Sequence, residues 1–149
     1  MALTMLDKAA EHKTTAPWSA EIAAEFKREN DNPNPCVGSQ LLSENERTRV
    51  WMIRLAPGER IGFHRHVLDY FWTSVNGGRG CQHVHDGTTV EYTYQPGETR
   101  HETYGKGEFK VHDLQNIGDR EMIFMTVEFK TSANQPMPLP AGVRPGLAA

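Results

Sequence analysis

From residue 36 to residue 130 the chain is cut into short strand-like runs by Gly, Pro, Asn or Asp about every eight to twelve residues, with no helical period between them. That rhythm limits the fold more than any other feature. The run TRVWMIRL (48–55) stops at Pro57-Gly58, and DYFWTSV (69–75) stops at Asn76-Gly77-Gly78. RGCQHVH (79–85) and TTVEYTY (88–94) flank Asp86-Gly87, a hairpin signal. Read as a two-residue turn, it sets His83 opposite Val90 and His85 opposite Thr88. EFKVHDLQN (108–116) runs to Gly118-Asp119, and EMIFMTVEFK (121–130) is the most apolar run of all. Strands in series without intervening helices close into a sandwich, jelly roll or barrel.

The flanks read differently. In residues 1–35, Ser19 is placed to cap a short helix AEIAAEFKREN with Ile22, Ala23 and Phe26 on one face, ended by Asn30, Asp31 and Pro33. A helix this short must dock on something. Residues 131–149 are rich in proline, which forbids helix and central strand alike, and form an extended tail. The expected organisation is an N-terminal arm (1–35), a β-barrel (36–130) and the tail (131–149).

Composition removes several classes of function. The formal charge is −3 and the basic residues are scattered, so nucleic acid is excluded as a partner. No run approaches the eighteen or so apolar residues of a membrane span, and the first residues lack the apolar stretch of a signal peptide, so a cytoplasmic protein is expected. Cys36 and Cys81 share no CxxC spacing and read as free thiols.

Histidines carry the chemistry. Six of the seven fall between positions 64 and 112. In a strand, alternate side chains share a face, so His64 and His66 project to one side about seven ångströms apart along the backbone. Two imidazoles at that spacing can converge on one ion. His112, far along the chain, joins them only if a barrel closes. Neutral imidazole suits Fe, Zn, Mn, Ni and Cu, and three such ligands leave coordination positions open for water or substrate.

These residues resemble the cupin superfamily, whose first motif has the form G-x5-H-x-H-x3/4-E-x6-G. Gly58, His64, His66 and Gly77 fall at its spacings, with Tyr70 in the slot of the glutamate ligand. His112 and Asn116 fit the H-x3-N ending of the second motif, whose preceding Pro and Gly are replaced. The resemblance spans about residues 40 to 130 and is greatest to small single-domain cupins associated with β-alanine degradation. It implies an all-β, double-stranded β-helix (jelly-roll) fold, one divalent transition metal on His64, His66 and His112, and a homodimer with the N-terminal helix and tail as its arms.

Without a carboxylate ligand, three neutral imidazoles would leave a divalent ion its full charge, favouring an anionic small-molecule substrate. Cupins similar to this pattern include thiol dioxygenases, in which three histidines hold Fe(II). By alternation Asp69 and Arg65 point away from the histidine face, whereas Tyr70 and Trp72 share it. Tyr70 is read as a hydrogen-bond donor to substrate or bound water, or as a barrel-lining ring. His101, in a turn-rich connection, is a second catalytic candidate as acid or base. His83 and His85 form another HxH, at the pocket mouth or facing solvent. Arg54 and Arg100 are the cations considered for a carboxylate clamp. The expected activity is that of a metal-dependent enzyme, by oxygen insertion or by isomerisation or hydrolysis. Alternatives are a non-catalytic ligand-binding or accessory cupin, and a metal-free isomerase-like cupin that uses His101 or His112 as base.

Overall fold

The computed structural model describes residues 10–146. Ten strands and one helix follow one another as β1 (His12–Thr14), α1 (Ala20–Asp31), β2 (Gln40–Glu44), β3 (Thr48–Leu55), β4 (Arg60–His66), β5 (Tyr70–Ser74), β6 (Gly78–His83), β7 (Thr89–Tyr94), β8 (Thr99–Glu102), β9 (Lys110–Asn116) and β10 (Met122–Phe129). They build two five-stranded antiparallel sheets, β1-β7-β6-β9-β4 and β2-β3-β10-β5-β8.

Alternation along the strands explains how the sheets meet. Along β3, Arg49, Trp51, Ile53 and Leu55 are buried while Val50 and Met52 are not. Along β10, Met122, Phe124, Thr126 and Glu128 are buried. Ile53, Leu55, Met122 and Phe124 from one sheet pack on Tyr94 and Leu114 from the other, so the core fills the space between them. A second cluster, Val37, Leu41 and Trp51, is covered by Leu139 and Val143 from the segment after residue 130.

Two Pro-Gly pairs turn the chain at one end. Glu59 N bonds Ala56 O and Glu98 N bonds Gln95 O, with Gly58 at φ 85 and Gly97 at φ 78, the positions of type II turns where only glycine sits without strain. The hairpin at Asp86-Gly87 departs from the two-residue turn expected. Val84 N bonds Thr88 O, and Gly87 adopts φ 90, which makes a three-residue loop of His85, Asp86 and Gly87. The Asp86 carboxylate accepts from both N and Oγ1 of Thr88 and holds that loop. Pairing therefore shifts by one, and His83 faces Thr89 rather than Val90.

Helix α1 begins where Ser19 accepts from Ile22 N. It docks on the outer face of β4. Ala23, expected on the docking face, is exposed; carboxylates take its place. Glu25 binds Arg60 through both oxygens at 2.9 and 2.7 Å and accepts from Phe63 N, and Glu29 pairs with Arg65 at 3.0 Å. Phe26 and Trp18 close over Phe63, with ring centroids 5.4 and 5.6 Å from it. The arm is also more than a separate unit, because β1 pairs with β7 at the sheet edge.

Candidate metal centre

Strands β4 and β9 are hydrogen-bonded neighbours whose register sets His64 directly against His112. His66 lies two residues on from His64 and therefore on the same inner face. The three rings stand 4.7 to 5.1 Å apart between centroids, and one nitrogen of each lies within 4.8 Å of the others. Among the described residues this is the only such group of three or more His, Cys, Asp or Glu ligand atoms.

The hydrogen bonds around the rings orient their nitrogens. His64 Nδ1 is 2.9 Å from Gly62 O, and His112 Nδ1 is 2.7 Å from Gln82 Oε1. Both partners are acceptors, so each Nδ1 carries the proton and each Nε2 presents a lone pair. Gln82 is held in turn, donating from Nε2 to Tyr94 Oη at 3.0 Å. His66 Nε2 meets His112 Nε2 at 3.1 Å, while its Nδ1 is buried without a partner. Two imidazole nitrogens facing each other at that distance need a cation or a shared proton between them. Burial holds all three rings neutral: His64 is lowered to about 4, and His66 and His112 fall well below the ordinary histidine value. Neutral rings with convergent lone pairs fit a divalent transition metal.

A cavity of about 50 Å³ adjoins the three histidines, space for an ion with a water or two. It opens toward a bowl of about 750 Å³, with Trp72, Gln82, Tyr94 and Lys110 lining both. The bowl has the size of a small-metabolite site.

Tyr70 lies where alternation puts it, buried with its ring stacked on His66 at 4.1 Å between centroids. Burial, with Tyr104 and Glu102 nearby, raises its phenol well above the usual tyrosine range, so it stays protonated and able to donate. Asp69 turns away and accepts from Tyr104 N at 2.9 Å. His101 is not in a loop but on β8, a strand too short and polar to read from its sequence. Arg100 and Glu102 are the half-buried residues there, and His101 is exposed at the bowl's rim with its ring 5.4 Å from that of Phe71.

The second HxH does not join the centre. His83 Nδ1 bonds the buried Asp113 at 2.7 Å, which also binds Arg60 Nε at 2.6 Å, so His83 belongs to the network under α1. His85 accepts from Val111 N through Nδ1, and its ring lies tilted 5.2 Å from that of Phe109. Arg65 points outward onto Glu29 and Phe109, and Arg54 pairs with Glu121 on the surface. Asn116, the end of the second motif, staples a turn instead, donating to Leu55 O and Arg120 O. Cys36 and Cys81 are free, both with thiols pushed up by burial.

Two residues of the centre escaped the sequence reading. Lys110 lies two before His112, on the same face of β9, and makes no ion pair among the described residues while adding positive potential at all three histidines. The alternation that selects Tyr70 would have found it. Gln82 carries no comparable signal, since a glutamine in a strand has no special chemistry until its neighbour is known.

Solved structures place this architecture. A cupin domain from Bordetella pertussis Tohama I superposes with a TM-score of 0.55 at 27% identity, covering 62% of this chain and 91% of that one. The fold is that of the cupins. An RmlC-like cupin with a double-stranded β-helix from Methanocaldococcus jannaschii (18% identity, TM-score 0.49, 60% and 76% covered) is also similar. So is a protein from Silicibacter pomeroyi described as a sugar phosphate isomerase of the cupin superfamily (22%, 0.43, 58% and 52%). No protein-family profile and no curated protein sequence matches the chain. No helix among the described residues of this cupin-type barrel is long and apolar enough to cross a membrane.

Proposed function

We propose that this chain is a metal-dependent cupin that acts on a small anionic metabolite, with His64, His66 and His112 holding one divalent transition ion. The observation that carries this reading is the charge of the inner cavity. Its lining holds three neutral imidazoles and the Lys110 ammonium but no carboxylate. Cation and ammonium together attract a carboxylate or phosphate at the foot of the bowl.

When bound, the ion would supply Lewis acidity and acidify a coordinated water or substrate hydroxyl. Lys110 draws the anionic group inward, and the Tyr70 hydroxyl donates a hydrogen bond to it. Trp72 and Tyr94 give the apolar walls that exclude water and define the substrate's width. His101 keeps a place at the rim only, because its ring lies against Phe71. We give it no proton to carry. The free cysteines support the reducing cytoplasm as the protein's compartment.

A second reading, a barrel that binds its ligand without transforming it, is favoured by one observation: no carboxylate reaches the inner cavity to serve as a base. Anaerobic purification with elemental analysis tests the centre itself. Wild-type protein should retain about one transition ion per chain, and His64→Ala should lose most of it; equal retention in both would overturn the assignment. Lys110→Met should keep the metal but weaken binding of anionic ligands about tenfold. Oxygen uptake and product screens with small thiols, amino acids and hydroxy or keto acids separate enzyme from binder. Silence across the panel with metal bound would favour the second reading.

A further inference from the structure

The three rings of the centre are supported in three different ways. His112 is held by a side chain, Gln82, and His66 Nδ1 has no partner among the described residues. His64 leans on backbone, its Nδ1 donating to Gly62 O at 2.9 Å. That carbonyl belongs to the same peptide unit as Phe63 N, which donates to Glu25 Oε2 of helix α1 at 3.0 Å. A carboxylate, one peptide and an imidazole therefore stand in series. The strand is shaped to allow it. β4 is the edge strand of its sheet, and its register with β9 shifts between Ile61 and His64, so the Gly62–Phe63 peptide falls in a bulge outside the ladder. A Cβ on residue 62 would lie 3.2 Å from Glu25 Oε2, closer than an ordinary contact, and glycine removes it. The Arg60 guanidinium grips the same carboxylate at 2.9 and 2.7 Å and, aided by Phe63 N against the opposing effect of burial, holds it below the ordinary glutamate range. Glu25 thus keeps its charge.

We infer that Glu25 is a positioning residue for the metal centre, acting on His64 through the Gly62–Phe63 peptide. This rests on the proposed role of His64, His66 and His112 as ligands. A negative charge on the peptide N–H polarises the unit and makes its oxygen a stronger acceptor, since bonds in a chain reinforce one another by about 10 to 30%. The stronger acceptor fixes the proton on Nδ1 and raises the electron density at Nε2, the atom that would meet the ion. Helix α1 thereby lends a carboxylate to the centre from outside the barrel. The inner cavity, whose lining holds none, stays free of negative charge for an anionic substrate. Glu29 provides the contrast. One turn further along the helix, it pairs with Arg65 on the same strand at 3.0 Å but does not bond the Gly62–Phe63 peptide, so it serves docking alone.

Two readouts on Glu25→Gln and Glu29→Gln test this, with folding of each variant checked by circular dichroism. In metal-free protein, proton NMR of the histidine ring N–H groups reports the Nδ1 bonds. Glu25→Gln should move the His64 Nδ1 proton upfield and leave that of His112, held by Gln82, in place. Glu29→Gln should move neither. In competition for Zn²⁺ against a chelator, Glu25→Gln should bind about tenfold more weakly, the low end of the loss expected for an outer partner of a ligating histidine, and Glu29→Gln as tightly as wild type. An unmoved His64 proton in Glu25→Gln overturns the inference. So does an equal loss of Zn²⁺ affinity in the two variants, because helix docking would then be the cause. If the wild type takes up no Zn²⁺, it is the metal reading that fails; the His64 resonance, read without metal, still supports or overturns the link from Glu25. If Glu25→Gln does not fold, Gly62→Ala pushes the carboxylate off the peptide while keeping its charge and its Arg60 partner. The same His64 shift is expected there, and an unmoved resonance overturns the inference.

Discussion

Gln82 offers the sharpest test of whether the three histidines form a tuned metal centre or merely a cluster of buried rings. Its side chain makes two bonds of different kinds. Oε1 accepts from His112 Nδ1 at 2.7 Å, which leaves Nε2 of that ring as the lone pair facing His66; Nε2 of the glutamine donates to Tyr94 Oη at 3.0 Å. Gln82→Ala removes both. Losing the outer partner of a ligating histidine weakens metal binding by about 10- to 100-fold, roughly 1.4 to 2.7 kcal/mol. The buried His112 Nδ1–H also loses its acceptor, at about 1 to 3 kcal/mol in fold stability. Tyr94→Phe separates the two effects, because it removes the acceptor of the second bond and leaves Oε1 on His112.

The assay is competition for Zn²⁺ against a chromophoric chelator at neutral pH, with the folded fraction checked by circular dichroism and stability by urea unfolding. Gln82→Ala should lose both affinity and stability. Tyr94→Phe should lose stability alone, and Gln82→Glu, which keeps an acceptor, should hold the ion about as well as wild type. If Gln82→Ala binds Zn²⁺ as tightly as wild type, His112 is not oriented by this bond. If Tyr94→Phe loses as much affinity as Gln82→Ala, the effect is packing rather than tautomer control.

Two further outcomes test the frame around the centre. Glu128, 3% exposed and bonded by Trp51 Nε1 at 2.8 Å, is raised to about 7 by burial, against the opposing pull of Trp51 and Arg49. The folded protein therefore keeps a proton that the unfolded chain has already released between about pH 4.5 and 7, so stability falls as pH rises through that window. Glu128→Gln should gain on the order of 3 kcal/mol over wild type at pH 8 and nothing at pH 4.5 by urea unfolding; an equal gain at both would mean the carboxyl is not the cause. Arg60→Ala strips the buried Asp113 of its cation and releases Glu25, at a cost of about 3 to 5 kcal/mol, and should speed proteolysis within α1. Unchanged cleavage there would show that aromatic packing alone holds the helix.

How much of this was legible in the sequence depends on whether a residue's surroundings are local. Thr48–Leu55 and Met122–Phe129 announce themselves because their own alternation and turn residues suffice. Strands β1, β2 and β8 do not, being three to five residues long and without a clear apolar face, so they become strands only because a neighbour offers hydrogen bonds. The two HxH pairs make the same point at the site. A strand of period two guarantees that His64 and His66 share a face, and it guarantees nothing about which face. On β4 that face is inward because His64 falls against His112. On β6 the phase is opposite, since Gly80 and Gln82 are the buried residues, both paired to β7 and Gly80 also to β9, so His83 turns outward to Asp113. The difference lies in inter-strand register, a property of pairs of strands that neither carries alone. For the same reason Lys110 was available once His112 was placed inward, whereas Gln82 became meaningful only when β6 was set beside β9.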